Sequence, residues 1–158
     1  MKFSAIYRPT QQPLKVAMSL QAVLAPLFVQ VALTFVLLFW MAGARNSALR
    51  RREVKIADIA LRQPAWPVRA TQIGNAFHSQ LEVPILFYIL VILALAARKA
   101  DLLFVIMSWL FVLSRVVHAA IHTSDNYVPR RFYAYAVGAI ILLLMWIIFA
   151  VRVMLGLG

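Results

Sequence analysis

Two groups of side chains in this sequence have the types and the spacing to do chemistry. Asn75, His78 and Glu82 fall at i, i+3 and i+7, and Arg115, His118 and His122 repeat that spacing. On a helix each set would occupy one face. Ser79 and Gln80 lie beside the first stripe. A carboxylate, a guanidinium and imidazoles gathered at one level would form a pocket of hydrogen-bond donors and acceptors, suited to a polar, anionic ligand. His78 with Glu82 and His118 with His122 also have the i, i+4 spacing of metal ligands. Arg115 in the same layer would repel a cation, so no metal is expected. Cysteine is absent, which excludes a disulfide framework and a protein thiolate; thiol chemistry would need a bound cofactor to bring the thiol.

These groups are embedded in sequence too apolar for a water-soluble domain. Of the 158 residues 64% are hydrophobic and 13% charged, and the mean hydropathy is +0.85. Lipid must face most of such a chain. A crossing helix needs about 20 apolar residues, and long gaps between charges supply four candidates, at about 20–43, 76–97, 102–122 and 132–152. The expected architecture is an all-α membrane protein, a four-helix bundle forming a single domain over 1–158. The first span is too long for a signal core of 7–15 residues and reads as an uncleaved helix, bent or started at Pro26. A basic loop at 45–72 separates the first two spans, with a helix break at Gln63-Pro64-Ala65-Trp66-Pro67.

Glu82 and Arg115 each fall inside a span, roughly 10 Å deep at about 1.5 Å per residue, and antiparallel neighbours would bring them to one level. A direct or bridged ion pair between them is the expected solution to two costly buried charges. Pro84 cannot donate to the carbonyl of Gln80, which leaves a free acceptor in the same layer.

The net charge of +11 could suggest nucleic acid, but the basic residues gather in short loops without a recognition motif, where membrane lipids are the expected partner. Arg45, Arg50, Arg51, Arg52, Lys55, Arg62, Arg69, Arg130 and Arg131 mark one side, against Lys2, Arg8, Lys15, Arg98, Lys99 and Arg152 on the other. The positive-inside rule then puts the nine-residue side in the cytoplasm and both termini outside, on the periplasmic side of a bacterial inner membrane.

Two stretches resemble the membrane-associated proteins in eicosanoid and glutathione metabolism, the MAPEG family, in its bacterial form. One is Gln80-Leu81-Glu82-Val83-Pro84-Ile85-Leu86-Phe87-Tyr88. The other is Ser114-Arg115-Val116-Val117-His118-Ala119-Ala120-Ile121-His122, continuing through Asn126 and Arg130-Arg131 to Met145-Trp146. The resemblance covers roughly residues 20–155 and implies a four-helix bundle assembling as a homotrimer. It also implies glutathione bound near the cytoplasmic face, used on lipophilic small-molecule electrophiles or hydroperoxides by a transferase or peroxidase.

By the same resemblance Arg131 would activate the thiol, with Tyr135 one turn on. Glu82 would meet the glutathione amino group, His118 would line the pocket, and Arg45 would meet a carboxylate. Asn75, His78, Ser79, Arg115 and His122 complete the candidate binding set. The chain departs from the family's glutathione signature at Asn75 and Ser79, where the family has Arg and Asn, and His122 stands where eicosanoid-type members often have Tyr. An Arg lost from a carboxylate clamp removes a contact of about 1.5–3 kcal/mol. The competing expectation is a non-enzymatic scaffold or accessory subunit that binds lipid and stabilises a larger membrane complex.

Overall fold

A computed structural model describes residues 18–60 and 65–156. The cations Lys2, Arg8, Lys15 and Arg62 and the Gln63-Pro64 half of the expected loop break lie outside them. The chain runs α1 (Leu20–Arg50), α2 (Val68–His78), α3 (Val83–Ala96), α4 (Leu102–Thr123) and α5 (Val128–Met154). Among the described residues, helical stretches long and apolar enough to cross a membrane number four: Leu20–Arg50, Val68–Ala96, Leu102–Thr123 and Val128–Met154.

Helix α1 starts at Leu20, ahead of Pro26, because Ser19 caps it by accepting from the Ala22 amide at 3.2 Å. Its 31 residues reach about 46 Å, longer than the ~30 Å hydrocarbon core. The last turns, with Arg45 and Arg50, therefore continue as helix beyond the apolar stretch expected to end at 43. The loop is correspondingly shorter than 45–72. Arg45 lies over the Trp66 ring at 5.0 Å and Arg69 over Trp40 at 5.3 Å, fastening the return segment to the end of α1.

The second span also differs from the expected 76–97. It begins at Val68 and is broken in two by a 3-10 turn at Ser79–Leu81 and by Glu82, whose φ of −97° and ψ of −103° leave the helical region. Pro84 lies in the first turn of α3, where its missing N–H costs nothing. Beyond the break the core is apolar: Phe87, Leu90, Val91 and Ala94 of α3 meet Phe111 and Val112 of α4 and Leu142 and Met145 of α5. The rings of Phe87 and Phe111 approach to 4.8 Å. Residues such as Phe28, Phe35, Phe39, Ile92 and Ile140 are exposed and present apolar surface to lipid.

Helices α4 and α5 are held at both ends. Asp101 accepts from the Phe104 amide at 3.0 Å, capping α4, and pairs with Arg152 near the end of α5 at 2.8 Å. At the other end Asn126 turns the chain with a φ of 53°, a conformation Asn tolerates. Between them the helices cross at Gly138. A Cβ there would collide with Ser114 Oγ, which donates to the Phe111 carbonyl at 2.6 Å. Gly138→Ala should therefore lower stability by about 1–2 kcal/mol through overpacking, and the Ser114→Ala/Gly138→Ala double variant should recover most of it. Thermal unfolding in detergent measures both; equal losses in the single and double variants would refute the close crossing.

Candidate functional site

The interrupted span creates a demand for hydrogen bonds that its own helix does not meet. Helix α2 ends at His78, and the break at Glu82 leaves carbonyls without the amides that a continuous helix would bring. Arg115, fully buried on α4, answers this demand: Nη2 donates to the Ser79 carbonyl at 3.0 Å and to Ser79 Oγ at 2.6 Å. Its guanidinium also lies 5.4 Å from the centre of the Tyr135 ring. The expected Glu82–Arg115 ion pair is not formed, and Arg115 is instead anchored to a main-chain oxygen. The carbonyl it takes up belongs to Ser79, not to Gln80 as Pro84 alone suggested. Gln80 is engaged elsewhere in the break, accepting from Gln30 of α1 at 3.0 Å and donating to the Ala76 carbonyl at 3.3 Å.

Around Ser79 the hydrogen bonds form a chain. His118 Nε2 lies 3.3 Å from Ser79 Oγ, and His118 Nδ1 lies 3.0 Å from the Arg131 carbonyl. A carbonyl only accepts, so Nδ1 carries the proton and donates to it. In the neutral ring Nε2 then accepts, and the hydroxyl that faces it donates. Ser79 thus accepts from Arg115 and donates to His118, with every direction in the chain fixed. His118 also stacks on His122 at 5.7 Å and tilts against Tyr135 at 5.6 Å.

These side chains bound a cavity of about 390 Å³ lined by Asn75, Ser79, Glu82, His118, His122, Val128, Arg131, Phe132 and Tyr135. It lies between α2, α4 and α5, at the end of the bundle that carries the basic connections. Seven of the ten side chains expected to form a site line it. Arg131 Nη1 donates to Asn126 Oδ1, which holds the guanidinium at the start of α5.

The other three are placed differently. Arg115 supports the wall from behind Ser79. Arg45 does not line the cavity; it stacks on Trp66 and packs where α2 approaches α1 at Gly74. His78 is exposed and tilts against Phe77. At about 100° per residue, His78 and Ser79 flank the Asn75–Glu82 line at roughly −60° and +40°. The cavity lies on the Ser79 flank, so the i, i+3 stripe named its wrong neighbour. Val128 and Phe132, the apolar part of the lining, had no polar signal to reveal them.

A second framework went unread in the sequence. Gln72 Nε2 donates to the carbonyls of His122 at 2.8 Å and Ser124 at 3.1 Å, and Arg69 Nη1 donates to that of Thr123. The side chains of α2 cap the C-terminus of α4, whose last carbonyls have no partner within their own helix. Replacing Arg115 by Met, similar in bulk but without donors, strands the Ser79 carbonyl. It should cost about 1–3 kcal/mol, read as a fall in the detergent unfolding midpoint. An unchanged midpoint would mean that Arg115 does not support the break.

No curated protein and no solved structure matches the chain. Residues 23–151 match the MAPEG family. That match spans all of the break, the cavity and the helix crossings, so the chain is an integral multi-pass membrane protein of four apolar spans and belongs to the MAPEG family.

Proposed function

We propose that the cavity binds glutathione and presents it to lipophilic electrophiles or hydroperoxides, as a transferase or peroxidase. The observation that carries the reading is the convergence of Asn75, Ser79, Glu82, His118, His122, Arg131 and Tyr135 on one cavity. Its 390 Å³ lies within the range of about 300–1,000 Å³ usual for small-molecule sites. The residues present fit such a ligand. Glu82 offers a carboxylate to an ammonium group, Arg131 a guanidinium to an anion, and Asn75 an amide to either a donor or an acceptor.

Bound glutathione would supply the thiol that this cysteine-free chain lacks. Arg131 brings fixed positive charge to the wall, which favours a thiolate over a thiol. Tyr135 lines the same cavity as a hydrogen-bonding group, and His118 adds an imidazole face to the wall. Val128 and Phe132 give the same cavity an apolar side from which a lipid-soluble substrate would approach. The proposal includes a homotrimer in a bacterial inner membrane with both termini periplasmic. Membership of the MAPEG family supports the trimer, and the excess of basic residues at the cavity end supports the orientation.

A non-enzymatic scaffold that binds lipid in a larger complex is the second reading. It is favoured by the internal commitment of both cations: Arg131 to Asn126 and Arg115 to Ser79. Calorimetric titration of the purified protein with glutathione separates the two. Saturable binding is expected, weakened about tenfold or more by Arg131→Ala, a loss of at least ~1.4 kcal/mol, and also weakened by Glu82→Gln. Wild-type protein that is folded but shows no saturable binding would favour the scaffold.

A further inference from the structure

The hydrogen bonds at Ser79 have a use that does not depend on a thiol. A hydroxyl donates to an imidazole nitrogen, and the other nitrogen of that ring is oriented by a fixed acceptor. This is the arrangement of a nucleophile, its base and the group that positions the base. Ser79 Oγ and His118 Nε2 are 3.3 Å apart, a separation that suits a resting site, and the Arg131 carbonyl orients the ring from 3.0 Å. Arg115 Nη2 touches the same oxygen at 2.6 Å and places a positive charge where negative charge would develop as the proton leaves. Both Ser79 and His118 border the cavity, which also holds Arg131 and Tyr135 as donors and Phe132 as apolar wall.

We propose that Ser79 is the nucleophile, and His118 the general base, of a site that hydrolyses carboxylic esters of lipophilic acids. The Ser79 Oγ would bond to the acyl carbon while its proton passes to His118 Nε2. Breaking the ester C–O bond releases the alcohol, which takes that proton. A water molecule then attacks the acyl-serine, giving its proton to His118. Collapse frees the carboxylic acid and returns the proton to Ser79. Ester and water become acid and alcohol, with no other reactant. Lipophilic acyl groups are the fitting class because the cavity is built into an apolar span and has Val128 and Phe132 in its lining.

The experiment treats the full chain, folded in detergent, with an alkyl fluorophosphonate and locates the adduct by peptide mass spectrometry. The wild-type protein should carry the adduct on Ser79, and His118→Gln should slow its formation by about 100-fold or more, the scale of general-base assistance. The protein should also hydrolyse p-nitrophenyl octanoate, with turnover lost in Ser79→Ala. Since the adduct is mapped on unaltered protein, the result does not require Ser79→Ala to fold. Folded wild-type protein with Ser79 unmodified, under conditions that label a known serine hydrolase, would overturn the proposal. So would labelling that is equally fast in folded His118→Gln. Glutathione binding bears on neither outcome.

Discussion

A polypeptide inside a bilayer must satisfy its own backbone, and the second span of this protein does not do so by itself. The break between His78 and Val83 leaves a gap in the helical ladder, which Arg115 spans from the neighbouring helix. The cavity follows from that repair. Arg115 orders Ser79, Ser79 meets His118, and His118 reaches the start of α5 through the Arg131 carbonyl. The helices are thereby drawn together by polar contacts at the cavity end, while apolar packing holds them through the middle of the bundle and the Asp101–Arg152 pair joins α4 to α5 at the far end. Interhelical hydrogen bonds and close packing, not hydrophobicity, must distinguish helix from lipid here.

The side chains of α2 extend the same logic to the end of α4. Gln72 and Arg69 occupy carbonyls that would otherwise point toward the membrane surface unpaired. His122 is consequently held from two directions, by its main chain through Gln72 and by its ring against His118. The shape of the cavity wall therefore depends on residues that do not touch the cavity. Gln30 makes a similar contribution from α1, reaching the break through Gln80 in a fully buried contact.

Much of this was legible in the sequence because apolar spans and rare intramembrane charges are themselves sequence features. The gaps between charges located four spans, and Glu82, Arg115 and the histidines marked the polar layer. What escaped had physical reasons. Arg69, Thr71, Gln72 and Asn75 make the first turns of α2 polar, so they read as loop, although the side chains of Arg69 and Gln72 cap another helix. The ion pair expected between Glu82 and Arg115 was displaced by a backbone carbonyl, an acceptor that every residue possesses and no sequence advertises. His78 and Ser79 were separable only by knowing on which flank of the Asn75–Glu82 line the neighbouring helices pack.

The buried cation at Arg115 also bears on how the protein responds to membrane voltage. Arg115 lies eight residues before Thr123, the end of α4; at ~1.5 Å per residue that is about 12 Å, or roughly 40% of a ~30 Å core if Thr123 marks its edge. A full crossing is worth about 2.3 kcal/mol per charge per 100 mV, so the field acts on this charge with only about 1 kcal/mol. Each charged hydrogen bond to Ser79 is worth about 1.5–3 kcal/mol, enough to hold the guanidinium in place. Arg115 is thus an immobile charge whose potential is felt by any anion entering the cavity beside it, at every polarisation of the membrane.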